Sequence, residues 1–88
     1  MTHVPEISRF FGIVIAMYHR EHEPAHFHAR YGGQKVIVRI ADGYIEGKLS
    51  PRAEALILEW WNLHRTELAE NWNRAKALKE LEPIAPLE

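Results

Sequence analysis

The stretch that most constrains this chain is Pro24-Ala25-His26-Phe27-His28-Ala29-Arg30-Tyr31-Gly32-Gly33. Its residues alternate with a period of two. In an extended strand, Phe27, Ala29 and Tyr31 face one way, and His26, His28 and Arg30 face the other. One face can cover a core; the other sets two imidazoles beside a guanidinium. Gly32-Gly33 then reverses the chain, because both central positions of a two-residue hairpin turn can take positive φ.

A second reversal at Asp42-Gly43 makes the register testable. With Gly32-Gly33 at the tip, Tyr31 pairs with Gln34, Ala29 with Val36, His28 with Ile37, Phe27 with Val38 and His26 with Arg39. With Asp42-Gly43 at the tip, Ile40 pairs with Ile45, Arg39 with Glu46, Ile37 with Lys48 and Val36 with Leu49. Both assignments place Phe27, Ala29, Tyr31, Val36, Val38, Ile40, Ile45 and Leu49 on one face. A one-residue slip would drive histidines and arginines into the core.

Upstream, Phe11–Tyr18 is rich in β-branched and aromatic residues and reads as strand one. Residues 1–9 show no strong period and read as a lead-in packed through Ile7; His3 carries no information. His19–Pro24 is polar, ends in proline and reads as a loop. Downstream, Ser50-Pro51 opens a helix, with serine as N-cap and proline in the first turn. Leu56, Ile57, Trp60, Leu63 and His64 follow at helical spacing, and Leu68, Trp72, Ala75 and Leu78 continue it. A bend or break is expected near His64–Thr66, since one helix of ~28 residues would span ~42 Å and overhang the sheet. Glu82–Glu88 holds two prolines and is expected to be extended.

The predicted fold class is α+β: an antiparallel β-meander of three to four strands with one or two C-terminal helices packed on one face. With 88 residues, one domain spanning 1–88 is expected. The chain has no cysteine, which excludes disulfides and thiolate metal sites. The run Phe10–Tyr18 is too short to cross a bilayer, so a cytoplasmic protein without membrane contact is expected. A net charge of −1 argues against a bulk nucleic-acid binder. Residues 1–50 are nevertheless slightly basic and hold five of the six histidines.

The outer sheet face carries the candidate chemistry. His26, His28, Arg30, Lys35 and Arg39 form a patch sized for one or two phosphates. There His26 or His28 could act as general acid or base on a ribose hydroxyl, with arginine stabilising the charged phosphorane. Two histidines two residues apart can also share a metal, with His19 or His22 as a third ligand. Arg39 opposite His26 and Arg30 beside His28 repel a divalent cation, so no metal and no cofactor are expected. The plainer reading is a solvated or partner-covered face. Ile37 and Tyr44 sit on it among His28, Arg39 and Lys48, a mixture that resembles a recognition surface, so Arg30, Lys35, Ile37, Arg39 and Tyr44 are the candidate binding residues. His64 is expected to pack at the core edge and Trp60, Trp61 and Trp72 in the core, with Trp61 the candidate for exposure. Glu67, Glu70 and Asn71 are expected to be a solvated helix face.

Three segments together carry a resemblance: Pro5–Tyr18, Pro24–Gly33, and Glu59-Trp60 with Leu63–Leu68 and Glu70–Trp72. Over nearly its whole length the chain resembles the small bacterial proteins grouped as domain of unknown function 4160. The His-x-His strand with its Tyr-Gly turn is the most specific part. Ala25 stands where a second proline is expected before the first histidine. The resemblance implies a setting rather than a mechanism. Such proteins are often encoded beside a second small protein, of the domain of unknown function 2442 group, in an arrangement like that of toxin–antitoxin pairs. The build is also similar, as fold analogy alone, to small interferase toxins with a double-stranded-RNA-binding-like fold. Two functions follow as expectations. One is a protein-interaction component of a two-protein, toxin–antitoxin-like system, binding a neighbouring gene's product or a second copy through this face or its edge. The other is an RNA-cleaving toxin using His26 or His28.

Overall fold

The computed structural model describes residues 5–88; His3 lies outside them. Five strands form an antiparallel meander in chain order: β1 (Glu6–Phe10), β2 (Ile13–Ala16), β3 (His26–Tyr31), β4 (Gln34–Arg39) and β5 (Ile45–Glu46). Two helices follow, α1 (Pro51–Leu63) and α2 (Arg65–Lys76). The fold is α+β, with one strand more than the three to four expected.

The additional strand is β1, hidden in the expected lead-in. A register irregularity between Glu6 and Ser8 breaks its alternation, and Ile7 and Ser8 are both buried. Its turn to β2 is Phe11-Gly12, with φ of 49° and 80°. Both central residues therefore take positive φ, as a tight hairpin requires, although phenylalanine does not announce such a turn. The expected strand Phe11–Tyr18 accordingly shortens to Ile13–Ala16.

The β3–β4 hairpin has the expected register throughout, from His26 opposite Arg39 to Tyr31 opposite Gln34. The β4–β5 pairing does not. Ile37 lies opposite Glu46 and Val38 opposite Ile45, two residues away from expectation. The connection is a longer loop, in which the Gly43 N–H donates to the Arg39 carbonyl at 2.8 Å and the Arg39 N–H to that of Tyr44 at 2.9 Å. Gly43, at φ 74°, lies so close to Trp61 that a Cβ there would be 2.9 Å from the ring. A shift of two residues preserves the face on which each side chain lies, so the expected division of inner and outer residues survives.

The core lies between the inner sheet face and the helices. Phe27, Ala29, Val36, Val38, Ile40 and Leu49 pack there with Ile57, Trp60, Leu68 and Trp72. Ile45 and Leu56 are only partly buried against it. Tyr31, at the hairpin tip, is exposed, as are Leu63 and Leu78, because the packed layer ends before reaching them. The Ser50 Oγ caps α1 by accepting the Ala53 N–H at 3.2 Å, and the Glu54 carboxylate accepts that of Leu49 at 2.8 Å.

The expected break falls at His64, whose φ of −125° leaves the helical region between α1 and α2. Its ring packs beside Trp60 at 5.4 Å, as expected of a core-edge residue, and its Nδ1–H donates to Glu67 at 2.6 Å. Trp61 is buried with Trp60 and Trp72, as expected of the core: its indole N–H donates to the Ile40 carbonyl at 2.8 Å. Asn71 is buried rather than solvated. Its amide donates to the Glu82 carbonyl at 2.8 Å and accepts the Glu82 N–H at 2.9 Å. These bonds hold the C-terminal segment against the domain, where Ile84 and Leu87 join the core.

Candidate functional site

The outer face of β3 is completed by the loop that precedes it. Four bonds pin that loop. The His19 Nε2–H donates to the Lys79 carbonyl at 2.9 Å. The Glu23 carboxylate accepts the Trp72 indole N–H and the Lys76 ammonium, both at 3.2 Å. The Ala25 carbonyl accepts the Ile40 N–H at 3.0 Å. Between these anchors, Glu21 is laid over the two strand histidines. Its Oε1 meets Nε2 of His28 and, at 3.2 Å, Nε2 of His26. Burial works to raise the Glu21 carboxyl, but contact with His28 and then His26 outweighs it and holds the group below its ordinary range.

Each histidine is fixed from behind. The His26 Nδ1 lies 2.8 Å from the Pro24 carbonyl, to which it donates. Trp72 lies 5.2 Å from the His26 ring, and Tyr18 meets His28 edge-on at 4.8 Å. The side chains of His26, His28 and Glu21 retain 12%, 22% and 30% exposure, so the cluster is sheltered yet reachable.

Arg39 does not act on His26 in the expected way. Its guanidinium folds onto Asp42 through both nitrogens, at 2.9 and 2.6 Å, and stacks 5.0 Å over Tyr44. Arg39 and the Tyr44 N–H together hold the Asp42 carboxyl at about 2. The two-residue register shift places Glu46 opposite Ile37 instead of Arg39, and Arg39 pairs locally with Asp42. Arg30 and Lys35 have no ion-pair partner among the described residues. They line a cleft of about 220 Å³ with Val14, Ala16, Tyr18 and His28.

A neighbouring cleft of about 330 Å³ contains His26, Ile37, Arg39, Tyr44 and Glu46, with His22 at its rim. A larger one, about 500 Å³, lies between α2 and the C-terminal segment, away from both histidines. It is lined by acids and amides with Arg74 and Lys79, and holds no histidine.

The fold thus brings all seven expected site residues onto one face, in two groups. His26, Ile37, Arg39 and Tyr44 share one cleft; His28, Arg30 and Lys35 share the other. Glu21 was missed. The third group at the histidines is this carboxylate, not His19, which is engaged with Lys79, nor His22. The available signal was an acidic residue five and seven positions before the two histidines, in a loop short enough to fold back.

The fold and this face define a class: a small α+β module with a meander covered on one side and a Glu–His–His group on the open side. The chain belongs to the family described as Domain of unknown function (DUF4160), which it matches over residues 12–73. That span contains Glu21, His26 and His28, while β1 and the C-terminal segment lie outside it. No curated protein and no solved structure matches the chain.

Proposed function

We propose that this protein is the interaction component of a small bacterial two-protein system of the toxin–antitoxin kind, binding its partner through the outer sheet face. The observation that carries this reading is the placement of Ile37 and Tyr44. Both helices cover the opposite face, and Ile7, the residue best placed in sequence to cover Ile37, is committed to the inner core. Tyr44 is 59% exposed. An open Tyr44 ring beside a half-buried Ile37 and the cations of this face favours a partner that offers both an apolar anchor and carboxylates. Arg30 and Lys35 supply the unpaired charge, so the partner is a small acidic protein, the product of a neighbouring gene.

Calorimetry with that gene product tests the reading. Ile37→Asp should weaken association by about 30-fold, equivalent to ~2 kcal/mol, with the melting temperature unchanged. An unchanged dissociation constant overturns it, and concentration-dependent self-association of the wild type would make the partner a second copy.

RNA cleavage is the second reading, and one observation favours it: His28, Arg30 and Lys35 line a single cleft. That arrangement sets an imidazole base beside two cations suited to a phosphodiester. Growth arrest with fragmented RNA, abolished by His28→Ala but not by Ile37→Asp, would put this reading first.

A further inference from the structure

We propose that Glu21, His26 and His28 form a binding site for a divalent transition metal of the zinc class. The site goes beyond the partner-binding reading and stands without it. The argument begins with one proton. The Pro24 carbonyl can only accept, so the His26 Nδ1 at 2.8 Å from it carries hydrogen. A neutral His26 then presents its lone pair at Nε2, and that lone pair faces Glu21 Oε1 at 3.2 Å. His28 aims its own Nε2 at the same oxygen. Two imidazole nitrogens and a carboxylate oxygen therefore converge, all within 4.8 Å of one another.

Protons alone leave one contact unmet: His28 can donate to Glu21 from Nε2 as a neutral ring, but neutral His26 cannot, because its hydrogen already serves Pro24. A single divalent cation satisfies all three atoms at once. Two ligands on a tetrahedral zinc with bonds of about 2.0–2.1 Å lie about 3.3 Å apart, close to the 3.2 Å between His26 Nε2 and Glu21 Oε1; the closer His28 contact has to open to admit the ion. A ligating histidine ordinarily donates its other N–H to a carbonyl or carboxylate, as His26 does to Pro24. Trp72 and Tyr18 supply apolar walls. Imidazole and carboxylate donors without thiolate suit zinc and its neighbours rather than magnesium or copper(I). The objection from Arg39 is removed, because its charge is spent on Asp42; Arg30 and Lys35, which line the His28 cleft, still act against a cation and lower its affinity.

The test uses the full chain without a histidine tag, stripped with chelator and titrated with zinc chloride by calorimetry. One equivalent binding at about 1 μM or tighter is expected. Glu21→Gln and His26→Gln should each weaken binding at least 10-fold while retaining the wild-type circular dichroism. Should either variant fail to fold, nitrogen-15 shifts of the histidine rings in the wild type decide. Zinc should move Nε2 of His26 and His28 and leave the His64 ring unmoved. Binding weaker than about 100 μM, folded variants that bind as well as wild type, or shifts confined to the other histidines would overturn the site.

Discussion

Arg39 lies opposite His26 across the β3–β4 ladder but gives its charge to Asp42, gripping both carboxylate oxygens. This one local pair changes the electrostatics of the outer face. A guanidinium aimed at His26 would repel a cation, whereas one closed on its own turn leaves the histidines to Glu21.

The pair has a defined acid limit. The Asp42 carboxyl is lowered from 3.8 to about 2, with the Arg39 contact as the largest cause. A depressed carboxyl contributes stability that is fully present above its unfolded value and is lost as pH falls through its folded value. The turn should therefore hold above about pH 4 and release Arg39 between about pH 4 and 2. A carbon-13 NMR titration of the Asp42 carboxyl checks this; a midpoint near 3.8 would show the grip to be absent in solution.

Val38→Ala should cost about 1–3 kcal/mol in urea unfolding, through lost burial plus the cavity left behind. Val38 is fully buried opposite Phe27, within the layer closed by Ile57 and Trp60. A change below about 0.5 kcal/mol would place Val38 outside the core, because surface substitutions commonly stay within that range.

Asn71→Ala should destabilise by about 1–3 kcal/mol, because it strands both backbone groups of Glu82 in a partly buried setting. Hydrogen exchange should quicken at the Ile84 N–H, which donates to the Ile7 carbonyl at 2.8 Å. Unchanged exchange there would mean that the C-terminal segment docks without Asn71.

Period-two alternation decided most of the sheet before any tertiary contact was known. In β3 and β4 the alternation is unbroken and the turn is two glycines, so pairing and faces are both local consequences of the chain. Ser50-Pro51 likewise marks the start of α1 by its own chemistry. β1 escaped because its irregularity destroys the period and because Phe11 holds a positive φ that its side chain does not favour. The β4–β5 register differs by two because the Gly43–Arg39 and Arg39–Tyr44 backbone bonds close a longer loop, which packs on Trp61, a residue remote in sequence.

The two histidines of the site were legible for the same reason as β3: adjacent outward positions on one strand point the same way. Their partner was not. Glu21 sits in a loop with no period, and its position depends on Glu23 reaching Trp72 and Lys76 in α2, and on His19 reaching Lys79 beyond it. Buried Asn71 and Trp61 follow the same rule, each bonded to backbone from a distant segment. The sequence by itself determined which side chains share a face, because that follows from backbone geometry one residue at a time. Only the tertiary structure decided which polar groups meet, because Glu21 reaches the histidines and Arg39 turns to Asp42 through loops whose paths are set by packing against the helices.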